Sequence, residues 1–196
     1  MEREKRRVAI PKDWDGITIG MYQQFEEIKG KKLKEDDFNL EVLSVICGLD
    51  KKMVDRMEVK SLKKIFKTLS FLNKKMPDEK ELIKKVEWNE KKYGFIPNLS
   101  EITMGEYIDI EANCKAAQKN LHKIMSILYR PIVKETKTRY SIENYNPDDE
   151  RNQEFLDFPI LPSVSALSFF FHLGKLLPNA LVKYLKKEKG KQKKKV

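Results

Sequence analysis

Apolar residues in this chain recur mostly at helical spacing, and in one short stretch they alternate. From Thr18 to about Lys29 the positions Met21, Phe25 and Ile28 define a helical stripe, with Thr18 as its N-cap and Gly30 as its stop. A second stripe begins after Asp36-Asp37, runs through Leu40, Leu43 and Ile46, and ends at Gly48. Asp50 is placed to cap a short turn over Met53–Met57. Leu62, Ile65, Phe66, Leu69 and Leu72 then make an i, i+3, i+4, i+7 stripe over Val59–Asn73. Ahead of these, Val8-Ala9-Ile10 reads as a short strand ended by Pro11, with a turn at Asp13-Trp14-Asp15-Gly16.

The alternating stretch is Val86–Ile96, where large apolar and polar residues flank an Asn89-Glu90-Lys91 turn and predict a β-hairpin. Thr103 caps the next helix, through Tyr107, Ile108 and Ile110, and a further apolar helix runs through Leu121, Ile124, Met125 and Leu128. These segments repeat earlier ones. Ile17-Thr18-Ile19-Gly20-Met21-Tyr22 returns as Ile102-Thr103-Met104-Gly105-Glu106-Tyr107, and each copy follows an Ile-Pro pair, Ile10-Pro11 and Ile96-Pro97. Val42–Ile46 is echoed by Ile124–Leu128. Such a repeat predicts two related strand-turn-helix-helix units, residues 1–76 and 77–135. In each, the threonine (Thr18, Thr103) is expected to cap, the glycine (Gly20, Gly105) to admit a neighbouring backbone, and the tyrosine (Tyr22, Tyr107) to bury its ring.

The rest does not repeat. Tyr129-Arg130-Pro131-Ile132 is expected to stop the preceding helix, Thr138–Ile142 to form a strand, and Asn146–Glu150 to cap a helix toward Phe155. The run from Phe158 through Gly174 holds no charged residue and contains Phe169-Phe170-Phe171. Pro159 and Pro162 interrupt its first third, which suits a buried helix better than a membrane span. An apolar helix of this kind needs cover on every side, so Phe169, Phe170, Phe171, Leu173, Leu176 and Leu177 form a candidate contact surface. The fold class is therefore mainly α with minor β. A C-terminal helical region, residues 136–182, is expected to pack on the same core, and residues 183–196 form a tail.

Charge changes the picture chiefly at that tail. The chain of 196 residues carries a net +10, of which residues 183–196 hold +7 and residues 1–7 hold +2, leaving a nearly neutral body. A block of like charges is first a solvated end. Where it does touch a partner, Lys186, Lys187, Lys191, Lys193, Lys194 and Lys195 suit phosphate or acidic surfaces, as point charges without base readout. A hydrophobic fraction of 40% is enough for a real core, and a charged fraction of 36% predicts heavily solvated helices. The basic N-terminus passes into Val8-Ala9-Ile10-Pro11 without the apolar core of a signal peptide, so use in the cytoplasm is expected.

Little chemistry stands out. Cys47 and Cys114 lack metal-like spacing, and no metal or cofactor is expected. His122, on a polar helical shoulder, and His172, beside the phenylalanine cluster, belong to no triad and read as structural. Neither phosphate-loop glycine pattern is present, and Glu26-Glu27 and Asp148-Asp149 read as surface and cap charges. An enzyme is the least supported class.

Four features, taken in order, resemble a known group. They are the Ile-Thr-x-Gly-x-Tyr motif, the run Asn120-Leu121-His122-Lys123-Ile124-Met125-Ser126-Ile127-Leu128-Tyr129-Arg130-Pro131, the pattern Arg139-Tyr140-x-Ile142-Glu143-x-Tyr145, and Phe169-Phe170. Together they resemble small helical virion-assembly proteins of tailed bacteriophages, including tail-assembly-chaperone-like and neck-associated proteins of phages infecting Bacteroidetes, the crAss-like group among them. The resemblance implies a non-enzymatic structural or assembly role at the neck, portal or tail, as packaged cargo, or as a chaperone. It implies contacts with other phage structural proteins in a multi-copy complex, in the virion or the host cytoplasm, with no membrane and no small-molecule substrate. The alternative from the residues themselves is a non-specific nucleic-acid-binding module that uses the lysine tail.

Overall fold

Thr18 opens the first helix, α1 (Ile19–Gly30), its Oγ1 accepting from the Met21 N–H at 3.2 Å. Helix α2 (Glu35–Cys47) starts earlier than the apolar stripe predicts, because Glu35, Asp36 and Asp37 fill its first turn, where carboxylates meet the positive end of the helix dipole. It ends at Gly48, whose φ of 64° is the left-handed conformation that returns its N–H to Leu43 and Ser44. Asp50 caps α3 (Lys51–Val54), and α4 (Val59–Leu69) tightens into a 3-10 turn over Ser70–Asn73. The computed structural model describes residues 9–74, 76–77 and 81–169.

The hairpin forms as β1 (Lys85–Trp88) and β2 (Lys91–Phe95), joined by Asn89 and Glu90 at φ 48° and 60°, the positive-φ pair that a tight two-residue turn requires. Between β2 and the next strand lie α5 (Met104–Cys114) and α6 (Ala117–Leu128), packed side by side. Tyr129–Ile132 ends α6 as expected but does more, forming the first half of β3 (Tyr129–Glu135). Pro131 hides that strand from a sequence reading, since proline is a strand breaker away from edges and bulges. β4 (Tyr140–Ile142) completes an antiparallel sheet in sequential order, with a bulge between Ile132 and Lys134. The strand expected at Val8–Ile10 does not form at Ala9 and Ile10, and Val8 lies outside the described residues. The fold is mainly helical with one minor four-stranded open sheet.

One face of that sheet carries the aromatic core. Trp88, Tyr93 and Tyr129 surround Phe158 at ring separations of 5.2, 6.3 and 5.3 Å, and Phe155 stacks on Phe158 at 4.9 Å. Fully buried Tyr129 donates its hydroxyl to the Ile83 carbonyl at 2.6 Å, and burial pushes its phenol well above the ordinary range. Phe155 follows α7 (Asp149–Glu154), and residues 160–169 form a further helix, α8. Pro162 sits in the first turn of α8, where no intrahelical N–H is needed, so the prolines shape the start of this helix rather than break it. Pro162, Ser163, Ser165 and Ala166 are buried, and the two serine hydroxyls return to the carbonyls of Pro159 and Pro162. Among the described residues no helix is long and apolar enough to cross a membrane.

Candidate interaction surface

The two copies of the repeated motif sit in opposite environments. In the first, the Ile19 N–H donates to the Phe158 carbonyl at 2.9 Å and the Ile160 N–H donates to the Ile17 carbonyl at 3.0 Å, so the segment leading into α8 is strapped across the start of α1. Ile17 and Ile19 are buried. A Cβ on Gly20 would stand 3.0 Å from the Leu156 carbonyl oxygen, so the glycine admits that backbone, as its position in the motif predicts. Tyr22 is half-buried and meets Trp14 edge to face at 6.4 Å.

The second copy keeps the cap but not the cover. Thr103 and Glu106 form a full capping box: the Thr103 Oγ1 accepts from the Glu106 N–H, and the Glu106 carboxylate accepts from the Thr103 N–H at 2.7 Å. Nothing lies within 4 Å of a Cβ built on Gly105, and Tyr107 is 58% exposed. The expected close approach at Gly105 and the buried ring at Tyr107 are therefore corrected: no segment of the described chain crosses α5 as the Leu156–Ile160 segment crosses α1. What turns α5 outward is Glu106, which stands where the first copy has Met21. Its other carboxylate oxygen meets Arg130 Nη2 at 2.6 Å, with both side chains about 5% exposed. Arg130 lies on the sheet face opposite the aromatic core, beside the Tyr145 ring, and its Nε is buried with no hydrogen-bond partner among the described residues. Tyr145 donates to Asp109 at 2.5 Å; burial, then this bond, raises its phenol, so it acts as a donor and not as a base.

Binding Glu106 inward leaves the opposite side of α5 in solvent. Met104, Tyr107 and Ile108, at i, i+3 and i+4, are 72%, 58% and 54% exposed and make one apolar stripe on a capped helix. The other large exposed apolar residues among those described, Val59 and Val133, stand on other elements, α4 and the β3 bulge. An apolar stripe held on a rigid element is a candidate contact surface.

Phe169 is half-buried, its ring 5.8 Å from that of Phe95, and so belongs in part to the core. Phe170, Phe171, Leu173, Leu176, Leu177 and His172 lie outside the described residues, as do Lys186, Lys187, Lys191, Lys193, Lys194 and Lys195. His122 is not on a polar shoulder: it is 8% exposed, its Nδ1 lacks a partner among the described residues, and burial lowers its imidazole below the ordinary range. Beside it α6 kinks at Asn120, and Gln23 of α1 donates its amide to the carbonyls of Gln118 and Lys119 at 2.8 and 2.7 Å.

The described surface also carries hollows. A cleft of about 250 Å³ lies between α5, α6 and α7, lined by Asp109, Lys123, Tyr145, Asp149 and Asn152; the Ser126 hydroxyl donates to Asn152. A wider one of about 1050 Å³ lies between the start of β1 and the 137–140 turn, with Lys84, Lys85, Lys137 and Arg139 around apolar residues that include Phe95 and Ile96. Among the described residues no group of three or more His, Cys, Asp or Glu side chains is placed to hold a metal ion. The chain matches no family model, no curated protein and no solved structure.

Proposed function

We propose that this protein is a non-enzymatic structural or assembly component of a tailed bacteriophage, acting through protein–protein contacts in a multi-copy complex. The observation that carries the contact role is the outward stripe of Met104, Tyr107 and Ile108 on a helix whose orientation is fixed by a buried ion pair. The assignment to a phage rests on the sequence resemblance. In this reading the two strand-turn-helix-helix units descend from one: the first copy became internal scaffold when the Leu156–Ile160 segment covered it, and the second kept its face free for a neighbour. Mass-spectrometric stoichiometry of purified mature particles tests the proposal. A fixed copy number marks a virion component, presence only in assembly intermediates marks a chaperone, and absence from both sinks the reading.

The concentration of +7 in residues 183–196 favours a second reading, a non-specific nucleic-acid-binding module. Truncation after Val182 separates the two. The module requires DNA affinity to collapse with the tail and to fall steeply with salt, whereas assembly by the truncated chain makes the tail an accessory.

A further inference from the structure

We infer that the α5 stripe is a homotypic contact, in which α5 of one copy packs antiparallel on α5 of a second copy about a two-fold axis at Ile108. This rests on the multi-copy reading above and deepens it. Three observations select the occupant. First, Gly105 and Ala112 are both exposed, seven residues apart, and lie on the same side of Ile108 around the helix. An antiparallel partner sets Gly105 of each copy against Ala112 of the other, so two backbones come close at a glycine that no described residue approaches. This is the service that Gly20 performs for Leu156 in the first copy.

Second, the charges that bracket the stripe agree with only one direction. Glu101 precedes α5, Glu111 lies within it and Lys115 follows it in helical conformation, all exposed. An antiparallel partner brings Glu101 of one copy toward Lys115 of the other at both ends, while a parallel partner stacks Glu on Glu and Lys on Lys. Third, Met104 and Tyr107 lie on the flank opposite Gly105, where Tyr107 closes over its counterpart beside the axis and Met104 extends the cover of Ile108 toward the start of the helix. The area is modest. One aromatic and two aliphatic side chains with their flanks cover on the order of 800 Å² in total, below the roughly 1,200 Å² of a stable interface. The contact is accordingly a weak one, with a dissociation constant of about 10–100 µM, that becomes firm when many copies are held together.

Sedimentation of the full chain across a concentration series is the primary test, with a reversible monomer–dimer equilibrium expected. Ile108→Asp raises the dissociation constant about tenfold or more without changing the circular dichroism spectrum, since the residue is already exposed. Lys115→Glu weakens association, and adding Glu101→Lys restores it. Ile108→Cys in a Cys114→Ser background forms an interchain disulfide under mild oxidation, whereas Val59→Cys, equally apolar and exposed on α4, does not. A chain that stays monomeric to millimolar concentration, or equal cross-linking at Ile108→Cys and Val59→Cys, overturns the homotypic contact. If Ile108→Asp instead blocks incorporation into particles while the wild type is monomeric, the stripe serves a different partner; the inference fails and the proposed function stands.

Discussion

The first and second copies of the Ile-Thr-x-Gly-x-Tyr motif share a cap and differ in nearly everything the cap leads to. Thr18 and Thr103 both hold the third helical N–H, so local chemistry is the same. Beyond it, Ile17 and Ile19 are paired to the chain at Phe158 and Ile160, whereas Met104 is 72% exposed. A motif that specifies a helix start thus specifies nothing about which side of that helix meets solvent. Two contacts make the choice: the Leu156–Ile160 segment covers the start of α1, and the carboxylate of Glu106, which stands where the first copy has Met21, reaches buried Arg130 and fixes the rotation of α5 about its axis.

The most severe way to break the comparison is to erase that difference. Glu106→Met gives the second copy the residue of the first, removes half of the capping box and leaves Arg130 as an uncompensated buried charge, with an expected cost of about 3–5 kcal/mol by chemical denaturation. Adding Arg130→Met should return most of the loss, since an apolar pair of similar volume suits the site about as well as the ions. A double variant no more stable than Glu106→Met would mean that the capping box, and not the ion pair, holds α5.

Next in size come the glycines, with opposite signs. Gly20→Ala drives a methyl against the Leu156 backbone and should cost about 1–3 kcal/mol, whereas Gly105→Ala adds a methyl in open space and should stabilise by up to about 1 kcal/mol. Destabilisation by both would show that α5 is covered in the monomer. The tyrosines extend the contrast: Tyr22→Ala loses the Trp14 contact and should cost about 1–2 kcal/mol, while Tyr107→Ala should stay within about 0.5 kcal/mol yet weaken self-association.

Much of the secondary structure was legible because its signals are local. Caps at Thr18, Asp50 and Thr103, the left-handed stop at Gly48 and the Asn89-Glu90 turn are each decided by a few adjacent residues. What failed depends on distant partners. β3 is a strand because Tyr93, Gly94 and Phe95 line up with Tyr129, Arg130 and Pro131, and nothing near Pro131 announces it. The exposure of Tyr107 depends on a partner at Arg130, and the burial of Tyr22 on Trp14, so the shared Ile-Thr-x-Gly-x-Tyr positions gave no warning of opposite fates. One signal was available: an acidic residue at the motif's fifth position, flanked by an apolar stripe, with an arginine in the run that ends α6.

The smallest effect concerns α2 and α6, where His122 falls opposite Leu40 when Ile124–Leu128 is aligned with Val42–Ile46. Burial, reinforced by Lys123, holds the His122 imidazole neutral to lower pH than in the unfolded chain, which takes up its proton near pH ~6.5. The unfolded state therefore binds more protons as pH falls through that value, and stability must decline from about pH 7 downward until the folded imidazole also titrates; above that window the residue contributes no slope. His122→Leu gives α6 the residue aligned from α2 and should remove this part of the acid dependence while leaving stability at pH 8 nearly unchanged. If the pH profiles of wild type and His122→Leu run parallel between pH 7 and 5, His122 takes up a proton as readily in the fold as outside it. The kink at Asn120 would then be its route to water, and α6 would be more open than α2.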